Sequence, residues 1–307
     1  MRKQSLALLV LIFKLSLSSF GQYNLDYGVS VGASNYLGEI GAGEGAGRGF
    51  LADTDIGSSR WNLGGFARYK FIPQIGVKAS FNYLRISGDD ARSQNPARRA
   101  RNLNFKNDIL EFALTGEYYI YRINDVGGTG MYNADFNLYL SSGLAFFTNN
   151  PKGQDATTEE WVSLKPLKTE GVSYGSFNLA IPLGIGFNYT LQRKYRVGIE
   201  IGWRATFTDR LDDISTLYIN DYDGISNKTS QSVLDAINKD TGEDIGILIS
   251  NFDKGSKRGN PQNKDSYMSA TLTFSWVVKG KSSFYKAKNS WVLGGSKRKR
   301  RKSRAKF

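Results

Sequence analysis

The stretch from Tyr195 to Phe207 reads Tyr-Arg-Val-Gly-Ile-Glu-Ile-Gly-Trp-Arg-Ala-Thr-Phe, and it decides the fold class. Its apolar residues fall on alternate positions, while Arg196, Glu200 and Arg204 stand between them with Gly and Thr. This period of two predicts a β-strand with one apolar face and one face that must meet water or paired charge. Such a strand fits a soluble sandwich with its charges outside. It fits equally a membrane barrel with its charges inside.

Seven further stretches alternate in the same way, which predicts eight strands in all. The other seven strands are expected at 23–34, 62–71, 75–83, 110–120, 136–146, 176–189 and 267–278. Short and long connections alternate between them, with long ones at 38–59, 88–106, 148–175 and 208–266. Short turns at one end and long loops at the other are typical of bacterial outer-membrane barrels. We therefore predict an all-β fold: an eight-stranded antiparallel transmembrane β-barrel with long extracellular loops and both termini in the periplasm.

The composition agrees with this assignment. The 307 residues include 34 Gly, 18 Phe and 17 Tyr but no Cys, so disulfides are not expected to contribute. After residue 21 no run of 18 apolar residues occurs, which excludes spanning by helices. A closed barrel is the remaining way to cross a membrane.

Residues 1–21 are expected to be a secretory signal peptide. Arg2 and Lys3 precede an apolar run from Leu6 to Phe20, and small residues favour cleavage before Gln22. An uncleaved membrane anchor is the alternative. The sequence then divides into a signal peptide (1–21), an outer-membrane barrel (22–278) and a basic periplasmic tail (279–307).

Charges of both signs lie on the polar faces of the predicted strands. This set contains Asp26, Glu111, Glu117, Glu200, Arg68, Lys70, Lys78, Arg196 and Arg204. An eight-stranded barrel is just wide enough inside for side chains to fill it. We therefore expect these groups to pair and close the lumen; a proton or ion path is the alternative.

The tail concentrates the positive charge of the chain. Residues 279–307 hold twelve Lys and Arg and no Asp or Glu, so most of the net charge of +13 is local. A partner-binding role is predicted for Trp291, Lys297, Arg298, Lys299, Arg300, Arg301 and Lys302. In the periplasm the candidate partners are anionic lipid, cell-wall polymer or an acidic protein, and nucleic acid is not expected. A solubilising tail without a partner is the alternative.

Few residues suited to catalysis or metal binding are present. Without His the usual general base is missing, so no enzymatic activity is expected. No cofactor is expected either, with one exception. Asp209, Asp212 and Asp213, with Asp221 and Asp223 nearby, form a candidate calcium site, because hard cations prefer carboxylate ligands. Turn capping by Asp at a strand end is the alternative explanation.

Two short motifs carry a family resemblance. Residues 32–40 read Gly-Ala-Ser-Asn-Tyr-Leu-Gly-Glu-Ile, and residues 207–215 read Phe-Thr-Asp-Arg-Leu-Asp-Asp-Ile-Ser. With the barrel layout, they resemble the PorG family of Bacteroidota outer-membrane barrels over about 22–278. Glu39 and Arg210 depart from that pattern, where Asp and an aromatic residue are expected.

The resemblance implies a scaffold in the type IX protein secretion system, which is linked to gliding motility in some members. Such barrels are expected to tether the periplasmic ring of the PorK lipoprotein and PorN to the outer membrane, within a larger membrane complex. The resemblance implies no catalytic residue. The alternative is a stand-alone surface barrel of adhesin or ligand-binding type, acting through the loops at 88–106 and 208–266. A hydrolase with a base other than His is a third, weaker alternative.

Overall fold

A computed structural model describes residues 25–41, 56–93, 95–123, 135–154, 159–191, 194–218 and 255–278. The fold is all-β. Its strands are β1 (Leu25–Leu37), β2 (Arg60–Ile72), β3 (Ile75–Asp89), β4 (Asn104–Ile123), β5 (Asp135–Thr148), β6 (Lys152–Gln154), β7 (Trp161–Ser163), β8 (Phe177–Leu191), β9 (Tyr195–Thr206) and β10 (Ser266–Val278). One short α-helix, α1 (Pro96–Arg101), lies between β3 and β4, after a 3-10 turn at Asp90–Arg92. No helix among these residues is long and apolar enough to cross a membrane.

Eight of the strands close into an antiparallel barrel. The sheet order is β3-β2-β1-β10-β9-β8-β5-β4, and pairing of β3 with β4 completes the circle. Within the described residues, the predicted eight strands and their order are therefore confirmed. The short strands β6 and β7 extend the sheet beyond β4. Asn104 begins β4 and Asp89 ends β3, so the predicted loop at 88–106 is shorter than expected.

The barrel has two unlike ends. Leu25 in β1 pairs with Val278 in β10, which places the first and last described residues at the same end. The turn between Ile72 and Ile75 lies there too, and this end is called the turn end. The opposite end carries the long connections and is called the loop end.

The outer wall of the barrel is apolar. Val29, Phe112 and Leu272 expose 54%, 49% and 58% of their surface, although each is a large hydrophobic residue. On β4 the apolar wall runs from Leu110 to Ile120, a rise of about 34 Å along the strand. A strand tilt of about 40° converts this length to roughly 25 Å along the barrel axis, the height of the apolar band of outer-membrane barrels. The predicted inside-out arrangement is confirmed.

Towards the loop end, beyond this band, the apolar residues change from the outer to the inner face of the strands. On β3, Leu84 and Ile86 point inward and are fully buried, while Arg85 stands on the outer face. On β4, Phe105 and Ile109 are likewise buried inside. An apolar interior with a charged exterior is the pattern of a sheet in water. The walls of the barrel therefore continue at the loop end beyond the apolar band.

Candidate functional site

The lumen at the turn end is occupied by an ionic layer. Asp26 lies 2.6 Å from the Arg196 guanidinium and 3.2 Å from that of Arg68. Arg68 reaches across to Glu117 at 2.8 Å. All four side chains are at least 98% buried, so each charge depends on its partners for stabilisation.

A second layer lies in the middle of the barrel. The Lys78 ammonium lies 2.5 Å from Glu200. Tyr139 donates its hydroxyl proton to Glu200 at 2.7 Å and accepts a hydrogen bond from Arg68 at 3.3 Å. Through Tyr139 the first and second layers form one network.

A third layer lies near the loop end. Arg204 contacts both carboxylate oxygens of Glu111, at 3.1 and 3.2 Å. Tyr267 and Asn82 also donate to Glu111, at 2.7 and 2.9 Å. A cavity of about 30 Å³ remains beside Lys78, Glu200 and Arg204, which is room for one or two water molecules. The predicted closing of the lumen by paired charge is seen in all three layers.

Residues from several connections form a cap over the loop end. Leu211 and Ile214 are buried against a cluster of inward-facing residues of the upper walls. The other members of this cluster are Tyr36, Ile40, Leu84, Ile86, Leu103, Phe105, Ile109, Ala113, Ala145, Phe147, Ala180 and Tyr267. The cap therefore has a conventional apolar core above the ionic lumen.

Two carboxyl groups and a backbone amide of the cap meet at one tyrosine. The Tyr36 hydroxyl lies 2.7 Å from Asp212 and 2.8 Å from Asp265, and it accepts a hydrogen bond from the Glu39 amide. Burial, with the charge of Glu39, raises the pKa of Asp212 to about 7. Burial and the charge of Asp212 raise the pKa of Asp265 well above its usual range. Tyr36 and Asp212 belong to the two short motifs at 32–40 and 207–215, so these motifs are in contact.

Asp213 lies in a different part of the cap. Its carboxylate accepts hydrogen bonds from the hydroxyls of Thr169 and Tyr174. Arg258 lies 3.8 Å from Asp213 and 3.0 Å from Glu170. Asp213 also has a positive φ of 69°, a backbone conformation that Asp tolerates better than most residues.

The predicted calcium ligands are thus not brought together as a set. Asp212 binds Tyr36, Asp213 binds Thr169 and Tyr174, and Asp209 has no hydrogen-bond donor within normal range of either carboxylate oxygen. Burial raises the pKa of Asp209 to about 6. Within the described part of the chain, no three acidic groups are arranged to hold a metal ion. Calcium binding remains a prediction.

Other predicted residues lie outside the described residues. These are the signal peptide at 1–21, Asp221 and Asp223, and the tail with Trp291, Lys297, Arg298, Lys299, Arg300, Arg301 and Lys302.

The cap was not predicted from the sequence. Tyr36 and Asp265 were not recognised, because each is a single polar or aromatic residue next to a strand end. A signal was nevertheless present, since the apolar positions change from odd to even numbers at Leu84 in β3 and again at Leu110 in β4. That change marks walls that leave the membrane and enclose an apolar core.

Comparison with known proteins identifies the family. A family model described as a domain of unknown function, DUF6089, matches residues 3–227. The chain belongs to the DUF6089 family. No curated protein matches this DUF6089 chain by sequence.

Several solved structures resemble the DUF6089 barrel. Ail of Yersinia pestis is 11% identical, covers 82% of this chain and 98% of its own, and has a TM-score of 0.35. Neisserial surface protein A is 8% identical, with 84% and 99% covered and a TM-score of 0.36. OprG from Pseudomonas aeruginosa is 14% identical, with 85% and 99% covered and a TM-score of 0.35.

Proposed function

We propose that the chain is a non-enzymatic outer-membrane scaffold of the type IX protein secretion system, which tethers a periplasmic ring of the PorK lipoprotein and PorN. The observation that carries this proposal is the sealed lumen. Three ionic layers cross the lumen and the cavity of about 30 Å³ beside the middle layer is small, so the barrel suits an anchor better than a conduit. The contact between the two family motifs at Tyr36 and Asp212 supports the resemblance on which the secretion role rests.

The pairing of Leu25 with Val278 supports a role for the tail. It means that the chain leaves the barrel at the turn end, beside the short turns. In outer-membrane barrels the short turns face the periplasm. On this orientation residues 279–307 begin in the compartment that holds the ring. Their twelve cationic side chains would then engage an acidic surface there.

Deletion of residues 279–307 tests the tethering role. Loss of co-purification with the ring lipoprotein and loss of cargo secretion are the expected results. A tail in which every Lys and Arg is replaced by Gln tests charge at constant length. A tail of the same composition in shuffled order tests whether charge alone suffices. Folding of each barrel is checked by its resistance to SDS at room temperature. If the deletion leaves both co-purification and secretion intact, tail-mediated tethering is wrong.

The alternative role as a surface-binding barrel is tested by the opposite change. Deleting residues 219–254 shortens the connection at 208–266 and keeps every residue that makes the described cap contacts. Under the scaffold proposal secretion survives this change. If the shortened variant loses binding to a surface partner while secretion never depended on the tail, the adhesin role replaces the scaffold role.

A further inference from the structure

A cationic patch lies on the outer face just above the apolar band. Tyr83 in β3 pairs with Leu110 in β4 at the top of that band. One step higher, Arg85 pairs with Asp108, and Lys106 follows on β4. Because the inward residues beside them, such as Leu84 and Ile109, are fully buried and apolar, this part of the wall is built for water outside.

Lys152 joins this patch from β6. It is the pairing partner of Lys106, so both side chains stand on the same face. Arg85, Lys106 and Lys152 are called the rim patch. Asp108 binds Arg85 at 2.6 Å through two hydrogen bonds, which leaves two uncompensated positive charges in this group of four. Neither lysine makes an ion pair with any residue that the structure describes.

Aromatic side chains hold the cations at this height. The Lys106 ammonium lies 4.0 Å from the centre of the Trp161 ring, and the Arg85 guanidinium lies 5.7 Å from that of Trp61. Trp61 in turn packs edge-on against Tyr83 at 4.6 Å. Trp and Tyr are characteristic of the level where hydrocarbon meets headgroups. The cations therefore stand at headgroup level, held by cation–π contacts that neutralise no charge.

We propose that the rim patch binds the phosphate of a phosphorylated glycolipid in the outer leaflet. The positive charge of the rim patch is complementary to a phosphate. It also lies at the depth where the headgroup phosphate of a lipid packed on Leu110 and Phe112 would stand. A compact ammonium group binds phosphate as a point charge, and two of them side by side can hold one phosphate between them. The inference rests on the orientation proposed above, with the loop end outside the cell.

Binding by the purified barrel tests the patch apart from any secretion role. The full chain in neutral detergent is titrated with bisphosphorylated lipid A, and bound lipid is measured by native mass spectrometry. Replacing both lysines, Lys106→Gln with Lys152→Gln, is expected to weaken binding about 10- to 30-fold, from the usual contribution of a Lys near an anionic surface. The control pair, Lys168→Gln with Lys264→Gln, removes two exposed loop cations; Lys264 precedes β10, the strand opposite β4. It is expected to bind as the parent does.

Two further binding measurements identify the ligand. Dephosphorylated lipid A should bind the parent and the Lys106/Lys152 variant equally and weakly. Inorganic phosphate at millimolar concentration should not displace the lipid. Equal binding of bisphosphorylated lipid A by parent and variant would overturn the proposal, and so would full displacement by inorganic phosphate. Orientation is tested separately by labelling a Lys168→Cys variant on intact cells; absence of labelling would remove the outer leaflet as the source of the lipid.

Discussion

The hydroxyl of Tyr36 lies 2.8 Å from Oδ1 of Asp265, and Asp212 lies on its other side at 2.7 Å. A hydroxyl has one proton and can donate it to only one of these carboxyl groups. The other carboxyl group must carry a proton of its own and donate to the tyrosine oxygen. The carboxyl groups of Asp212 and Asp265 therefore hold one acidic proton between them. This buried group joins the end of β1 to the start of β10.

The first prediction concerns the pH dependence of stability. The pKa of Asp265 and that of Asp212 are raised in the folded protein, so the folded state binds more protons than the unfolded state above about pH 4. The free energy of unfolding contributed by this pair should fall from about pH 4 to beyond pH 7. The expected loss is on the order of 4 kcal/mol, from a pKa of about 7 in the folded protein against about 4 in the unfolded chain, and it is measured by urea unfolding in detergent micelles across that range.

The change Asp265→Asn isolates this contribution. An amide can donate to the Tyr36 oxygen while its carbonyl accepts from the Leu211 amide, the bond that Asp265 makes now. The variant should be more stable than the parent at pH 8, and its stability should vary less between pH 4 and pH 8. Replacing the exposed Glu159 by Gln serves as control. A variant with the same pH profile as the parent would show that no proton is shared here.

The second prediction contrasts a buried with an exposed ion pair. Arg68→Met leaves Asp26 with Arg196 and the Ser275 hydroxyl, and it leaves Glu117 without its guanidinium partner, all inside the lumen. We expect a loss of about 3–5 kcal/mol in the free energy of unfolding. Arg85→Met breaks the half-exposed pair with Asp108 and should cost at most about 1 kcal/mol. Equal losses in the two variants would mean that the lumen charges are hydrated rather than paired.

The barrel itself could be predicted from the sequence because its signal is local. Each strand carries its own alternation, and eight such strands joined by alternating short and long connections favour a barrel with a polar interior over a sandwich. The identity of the pairs could not be predicted. Arg68 binds Glu117, which is 49 residues away, and Glu200 binds Lys78, which is 122 residues away. Such contacts depend on the stagger and tilt of the closed barrel, which no single strand reveals.

The contacts of the acidic residues in the cap were also hard to predict, because neighbours in the sequence point to different partners. Asp209, Asp212 and Asp213 are neighbours in sequence, and that proximity suggested a common ligand. A chain that turns sharply, with Asp213 at a positive φ, sends neighbouring side chains in different directions. Asp212 consequently meets the hydroxyl of Tyr36, which also contacts Asp265, 53 positions further along the chain.

The third prediction concerns a close approach inside the lumen. Gly186 in β8 pairs with Tyr139 in β5, and a Cβ atom on Gly186 would lie 2.6 Å from the phenol end of the tyrosine. Tyr139 is buried and bound to Glu200, so it has little room to move. Gly186→Ala should lower the free energy of unfolding by about 1–3 kcal/mol. At Gly116 on the outer wall the nearest atom would be 3.7 Å away, so Gly116→Ala should change stability little. A similar cost at both positions would exclude crowding of Tyr139 as the cause.

The fourth prediction concerns conductance. The barrel in a planar lipid bilayer should show no steady ion current, because the layers at Arg68, Glu200 and Glu111 each cross the lumen. Replacing the middle pair, Lys78→Ser with Glu200→Ser, enlarges the cavity of about 30 Å³ but leaves the other two layers in place. This variant should therefore also remain closed. Steady current through the parent would contradict a sealed lumen, and current through the variant alone would show that the middle layer is the barrier. Thermal unfolding of both proteins distinguishes a true pore from a collapsed barrel.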